Sequence, residues 1–115
     1  MVQDLFNKDA FLASLANDRE LACELIAAFM EDCPTRNASL TKALTANDAL
    51  TASKMAHSLK GMCGVVRANE LAELALDMEL TAKEGRLDLV REQHARFLEM
   101  LQHVIPLLNA FKADK

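Results

Sequence analysis

A histidine lies in the middle of a strongly helical stretch, Ala56-His57-Ser58-Leu59-Lys60-Gly61. At about 100° per residue, the apolar residues of this stretch gather on one side of the helix, and His57 falls nearly opposite their centre. A neutral imidazole nitrogen is a competent nucleophile near pH 7. Lys60 follows one turn later, where its ammonium could bind the oxygens of a phosphoryl group placed on that nitrogen. The pattern predicts an exposed, reactive imidazole.

Two glycines follow the histidine on the same exposed side of the helix. Gly61 and Gly64 lie one and two turns past His57, and each costs about 1 kcal/mol relative to alanine in a helix interior. Packing inside the protein does not explain glycines that face solvent, whereas close approach by an outside molecule does. The predicted docking surface on this face comprises Leu50, Ser53, Lys54, Gly61 and Gly64.

The composition is that of a compact helical domain. Of 115 residues, 51% are hydrophobic and 26% charged, with only three glycines and two prolines. This length supports one hydrophobic core, so residues 1–115 are expected to form a single domain. Helix-favouring residues are abundant, β-branched residues are sparse, and no segment has the alternating pattern of a strand.

Amphipathic patterns predict the helices that position His57. A short first helix is expected over 8–14, followed by helices from Asp18 to about Glu31 and from Pro34 to about Asn47, with Pro34 separating the two. The histidine helix is expected over about 49–66, and later helices over 69–83 and 87–111. Short connections predict an all-α, antiparallel up-and-down four-helix bundle with a short extra N-terminal helix.

Near the N-terminus, Phe6, Phe11 and Leu15 leave two alternatives open. Together with Leu50 they form a small apolar docking patch, or the first helix caps the end of the bundle. The sequence does not discriminate between them.

Charge and cysteine content exclude several classes of protein. The net charge is −4 with no basic cluster, which argues against nucleic-acid binding. Neither a membrane span nor a secretory signal is present, so a cytoplasmic protein without membrane contact is expected. Cys23, Cys33 and Cys63 are odd in number and widely spaced, which fits neither a zinc site nor a disulfide framework.

The motif resembles the histidine-containing phosphotransfer (HPt) family of bacterial phosphorelays. The resemblance covers most of the chain and depends on the 56–61 stretch followed by Gly64, Ala68, Leu71, Leu74, Ala75 and Glu79. It implies that His57 carries the phosphoryl group on the nitrogen remote from the backbone. It further implies that Lys60 stabilises the phosphate and that Gly61 leaves room for a partner's loops. Glu79 would hydrogen-bond the other imidazole nitrogen, whereas its residue type alone suggests a solvated surface carboxylate.

The resemblance implies a phosphocarrier rather than an enzyme. A receiver-domain aspartyl phosphate would be attacked by His57, which would pass the group to another receiver aspartate. The implied partners are response-regulator receiver domains and a hybrid sensor histidine kinase. Mg²⁺ is expected on the receiver, whereas this chain is expected to have no cofactor of its own and to be a monomer. Two alternatives remain: a helical interaction module that has lost phosphotransfer, and a metal-binding bundle. The latter would want paired Glu-x-x-His motifs, and the chain has none.

The sequence also gives expectations for three further residues, Arg67, His94 and His103. Arg67 stands where the family usually has a glycine, so either it adopts the left-handed conformation at some cost or the turn differs. A second expectation for Arg67 is that it lies near the phosphorylation face and meets an acidic partner. His94 lies on the apolar seam of the last helix and is expected to be buried with a hydrogen-bond partner. His103 is expected to pair with Glu99 on the surface.

Overall fold

A computed structural model describes residues 2–114 of the chain, with side chains from Asp4 onward. Within that range the secondary structure is entirely helical. The helices are α1 (Val2–Leu5), α2 (Lys8–Ser14), α3 (Arg19–Thr45), α4 (Ala49–Val65), α5 (Asn69–Lys83) and α6 (Leu87–Ala113). The predicted all-α bundle is confirmed: α3 to α6 are its four main helices, and the histidine helix ends one residue before the predicted boundary.

The four main helices run antiparallel to their chain neighbours. α4 packs against both α3 and α5, and α6 packs against α5 and, less extensively, α3. The longest dimension of the molecule is 45 Å, close to the roughly 40 Å expected of a 27-residue helix. The core between them is built mainly from fully buried leucine, valine, alanine and phenylalanine side chains.

The predicted break at Pro34 is wrong, because α3 is one continuous helix from Arg19 to Thr45. An interior proline costs about 3 kcal/mol, since the carbonyl four residues earlier loses its donor. A continuous buried stripe offsets that cost, because each large apolar side chain contributes roughly 1.5–3 kcal/mol when fully buried. The stripe keeps helical spacing across the proline and consists of Ile26, Phe29, Cys33, Asn37, Leu40 and Leu44.

Each turn between the main helices ends its helix with a residue in the left-handed region. Asn47, Arg67 and Gly85 have φ values of 54°, 61° and 77°. At the α4–α5 turn, the Arg67 N–H donates to the Gly64 carbonyl at 3.1 Å and the Ala68 N–H to the Cys63 carbonyl at 2.9 Å. This is the paired bonding of a Schellman motif. Arg67 therefore adopts the left-handed conformation despite not being glycine, and the first of the two expectations for this turn is confirmed.

The N-terminal segment caps one end of the bundle. Phe6 and Phe11 are buried with Phe111 of α6, with ring centroids 5.8–5.9 Å apart in all three pairs. The Asn7 N–H donates to the Arg67 carbonyl at 3.0 Å, which ties this segment to the α4–α5 turn. An apolar docking patch built from Phe6 and Phe11 with Leu50 is therefore wrong, because both rings are covered and Leu50 starts α4 at the other end.

Candidate functional site

His57 projects from α4 into solvent. Its side chain is 65% exposed, whereas Ala56, Leu59 and Cys63 on the opposite side of α4 are fully buried. The N-terminus of this helix is fixed by Asp48, whose carboxylate accepts from the Thr51 N–H at 3.0 Å. The expectation of an exposed histidine outside the core is confirmed.

The imidazole has a partner on the neighbouring helix. His57 Nδ1 lies 3.2 Å from Oε1 and 3.1 Å from Oε2 of Glu79 on α5. The Glu79 side chain is only 8% exposed, so the alternative of a solvated surface carboxylate is wrong. An ionised carboxylate can only accept hydrogen bonds, and therefore Nδ1–H is the donor. In the neutral ring the lone pair then lies on Nε2, the nitrogen remote from the backbone.

Two lysines bind the same carboxylate. Lys60 Nζ lies 3.2 Å from Oε1 of Glu79, and Lys83 Nζ lies 3.2 Å from Oε2. Burial pushes the pKa of Glu79 upward, but the bonds from Lys60, Lys83 and His57 outweigh burial and hold the pKa below its ordinary value. Glu79 is therefore an anion at neutral pH, with acceptor bonds on both oxygens.

Sequence reasoning missed Lys83. The available signal was its position four residues after Glu79 on one helix, an arrangement that favours an ion pair. Lys60, the other lysine bound to Glu79, lies on α4 and could be anticipated because it follows His57 by one turn.

The predicted docking residues divide into exposed and buried groups. Leu50, Lys54 and Gly61 are exposed and Gly64 is half-buried. The prediction for Ser53 is wrong, because its residue is only 6% exposed. Ser53 precedes His57 by four residues, and neighbouring elements bury it, which a projection of α4 alone does not reveal. Further exposed apolar residues on α4 and α5 are Val65, Leu76 and Leu80.

The two glycines of α4 are not required by packing within the chain. A Cβ atom built on Gly61 or Gly64 meets no atom within 4 Å, apart from the immediate helix backbone. Both positions have ordinary helical backbone conformations, unlike Gly85. Open space above them agrees with a surface left clear for a partner.

Arg67 lies away from this cluster. It follows His57 by ten residues, which corresponds to roughly 15 Å of helical rise. Its guanidinium donates to the Gly64 carbonyl at 2.8 Å, so the side chain helps to close the end of α4. This contact holds the arginine side chain in place at a position with a left-handed backbone.

The second histidine of interest is structural. His94 on α6 is 5% exposed, and its Nε2–H donates to Asn37 Oδ1 at 2.9 Å. The Asn37 amide nitrogen in turn donates to the Cys33 carbonyl at 3.1 Å. Burial lowers the pKa of His94, which keeps the ring neutral. The prediction of a buried, hydrogen-bonded His94 is confirmed, and Asn37 is the partner that the sequence did not identify.

The cysteines are not arranged as a site. Cys33 and Cys63 are buried thiols, and Cys23 is half-buried. Burial raises the pKa of Cys33 to about 11 and that of Cys63 further still.

Among residues 2–114, no three histidine, cysteine or acidic side chains cluster as metal ligands. Over the same residues, no helix combines the length and apolar character needed to cross a bilayer.

Comparisons with known proteins agree with this geometry. The Hpt domain family model matches residues 24–105. Histidine-containing phosphotransfer protein B (HptB) from Pseudomonas aeruginosa PAO1 superposes with a TM-score of 0.84 at 29% identity, covering 91% of this chain and 92% of that one. No curated protein sequence is significantly similar to the chain.

A second solved structure shows the same fold. The HPT domain from a sensor hybrid histidine kinase of Shewanella superposes with a TM-score of 0.80 at 19% identity, covering 93% of this chain and 92% of that one. The family model spans well over half of the chain, including the whole of α4 and α5. The chain therefore belongs to the Hpt domain family and has a histidine phosphotransfer role in phosphorelay signalling.

Proposed function

We propose that His57 is the phosphoacceptor of this phosphocarrier and that Nε2 is the reacting atom. The observation that carries the proposal is the contact of His57 Nδ1 with the buried Glu79 carboxylate, on a side chain that is 65% exposed. Glu79 fixes the tautomer and the orientation of the ring, and the lone pair of Nε2 faces solvent. His94 lacks this arrangement because its ring is buried in the core.

The transfer step is a substitution at phosphorus. Nε2 of neutral His57 attacks the phosphorus of an aspartyl phosphate, an N–P bond forms, and the O–P bond to the aspartate breaks. The aspartate departs as a carboxylate, and the ring retains the Nδ1 proton with a positive charge that faces the Glu79 carboxylate. Passing the group to a second aspartate reverses the same steps. Lys60 binds the phosphoryl oxygens in this proposal.

The partners that fit are receiver domains and a histidine kinase. The two helices that carry His57 and Glu79 also expose apolar side chains at Leu50 and Leu80 and a cation at Lys54, which suits an apolar surface rimmed by acidic groups. The chain acts as a monomer and holds no metal of its own, and Mg²⁺ belongs to the receiver. It serves as a cosubstrate of phosphotransfer and has no turnover alone.

The experiment is phosphoryl transfer from a panel of phosphorylated receiver domains to the purified protein. The expected product is a phosphoprotein that is stable in alkali and labile in acid. His57→Gln should take no label, whereas the matched control His103→Gln, which alters an exposed histidine on α6, should label as the wild type does. Absence of label on the wild type with every receiver would favour an interaction module without phosphotransfer, and full label on His57→Gln would exclude His57.

A further inference from the structure

Lys83 is an exposed lysine whose ammonium is held beside the reactive histidine. It extends from the last turn of α5, its side chain is 58% exposed, and its Nζ lies 3.2 Å from Glu79 Oε2. The same oxygen lies 3.1 Å from His57 Nδ1. One carboxylate oxygen thus connects the two groups, so the Lys83 ammonium and His57 Nδ1 share a hydrogen-bonding partner.

The charges of the four side chains in contact, His57, Lys60, Glu79 and Lys83, do not balance in the unphosphorylated protein. Glu79 contributes one negative charge, Lys60 and Lys83 contribute two positive charges, and the neutral His57 ring contributes none. One carboxylate cannot neutralise two ammonium groups. The cluster therefore holds one surplus positive charge next to the position where a phosphoryl dianion would arrive.

Lys83 is also free to move. An exposed ion pair contributes little to stability, and a lysine side chain has four rotatable bonds. Lys60 is less exposed, at 33%, and leaves the carboxylate less readily. A phosphoryl group on Nε2 carries three acceptor oxygens, so more than one ammonium can bind it at once.

We infer that Lys83 is a second phosphate-binding residue, which moves from Glu79 to the phosphoryl oxygens when His57 is phosphorylated. The inference rests on the proposed role of His57. In a loose transition state the departing phosphoryl group carries less charge on its oxygens than the bound dianion does. A cation on those oxygens therefore stabilises phosphohistidine more than the transition state for its cleavage, and lengthens its lifetime.

The test measures the lifetime of phosphohistidine without any partner protein. Phosphoramidate transfers its phosphoryl group to imidazole with release of ammonia, and label on His57→Gln gives the background from other histidines. Lys83→Ala should shorten the half-life of the phosphoryl group on His57 by about three- to tenfold. Lys83→Arg should restore most of it. Lys42→Ala is the matched control, because Lys42 is an exposed lysine on α3, across the bundle from α5.

A second readout separates phosphate binding from positioning through Glu79. Imidazole nitrogen NMR of unphosphorylated Lys83→Ala should still show the proton on Nδ1, because Lys60 continues to hold Glu79. An unchanged half-life, or loss of that tautomer in the free protein, would overturn the inference. Failure of receiver domains to label wild-type His57 would instead refute the proposed function, and the half-life arm would still report on Lys83.

Discussion

The Nδ1 atom of His57 and the carboxylate of Glu79 lie 3.1–3.2 Å apart across the interface between α4 and α5. The two residues are 22 positions apart in sequence, so this contact depends on the packing of the two helices rather than on either helix alone. The imidazole is exposed and the carboxylate is buried. One member of the pair is therefore available for reaction while the other is fixed by its surroundings.

Replacing Glu79 separates the orientation of the ring from its charge. Glu79→Gln keeps an acceptor for Nδ1–H but removes the negative charge, whereas Glu79→Ala removes both. A hydrogen bond to a charged group contributes roughly 1.5–3 kcal/mol, which corresponds to about 10- to 100-fold in rate. Because the imidazole ring is exposed, we expect a change in rate at the low end of this range. Glu79→Ala should therefore accept phosphate about tenfold more slowly, with Glu79→Gln between it and the wild type.

The measurement is the rate of label transfer from a phosphorylated receiver at pH 7.5. Glu73→Gln removes an exposed carboxylate from the same helix and is the control, for which wild-type rates are expected. Equal rates for Glu79→Ala and the wild type would show that Glu79 does not position the imidazole.

Lys60→Ala should slow phosphoryl transfer or shorten the lifetime of phosphohistidine without unfolding α4. The Lys60 ammonium binds Glu79 Oε1 and is one-third exposed, so its removal leaves the helix backbone and the core unchanged. Circular dichroism should show wild-type helix content while the labelling kinetics change. An unchanged transfer rate together with an unchanged phosphohistidine lifetime would show that Lys60 has no role in the site.

A feature of this site can be predicted from the sequence when it depends on one helix alone, and not when it depends on how two helices pack together. The exposure of His57 and the position of Lys60 follow from the period of one helix. Ser53 was wrongly expected at the surface, because its burial depends on how α4 packs against its neighbours. The contact between Glu79 and His57 requires the relative rotation of α4 and α5, which no single-helix pattern encodes. Lys83 pairs with Glu79 within α5, so its place in the site depends on that same contact. The continuity of α3 likewise required weighing its buried stripe against Pro34.

Gly61 gives a prediction in which stability and function change in opposite directions. Gly61→Ala should raise the free energy of unfolding by up to about 1 kcal/mol, because alanine favours a helix interior and its Cβ meets nothing within 4 Å. Gly61→Leu should also fold but should transfer phosphate poorly, since its side chain projects into the space reserved for the partner. Urea denaturation and receiver labelling measure the two effects. Wild-type transfer by Gly61→Leu would contradict a role in docking.

Pro34→Ala tests the continuous helix α3. Alanine restores the missing N–H in an exposed position, which relieves a penalty of about 3 kcal/mol. Greater freedom of the unfolded chain offsets up to about 1 kcal/mol of that gain. The free energy of unfolding should therefore rise by about 2 kcal/mol in urea denaturation. Destabilisation by Pro34→Ala would instead indicate a helix boundary at this residue.

The buried His94 makes stability depend on pH. Burial lowers its pKa in the folded state, so below the ordinary value near pH 6.5 the unfolded chain binds a proton that the folded chain does not. Stability from this group is present above that pH and falls as the pH drops, by at most about 1.4 kcal/mol per unit. Arg91 lines the same depression in the surface as His94, and its guanidinium is paired with Asp88, which leaves burial as the cause of the lowered pKa.

Denaturation between pH 7.5 and 5.5 measures this dependence, a range in which most carboxylates remain ionised. His94→Gln should flatten the slope while retaining a donor for Asn37 Oδ1. If that variant does not fold, NMR of the wild-type His94 ring protons gives the same information, because they should titrate at lower pH than free histidine. Titration at or above the free-histidine value would show that the ring accepts a proton within the core, and the assignment of a neutral His94–Asn37 pair would fail.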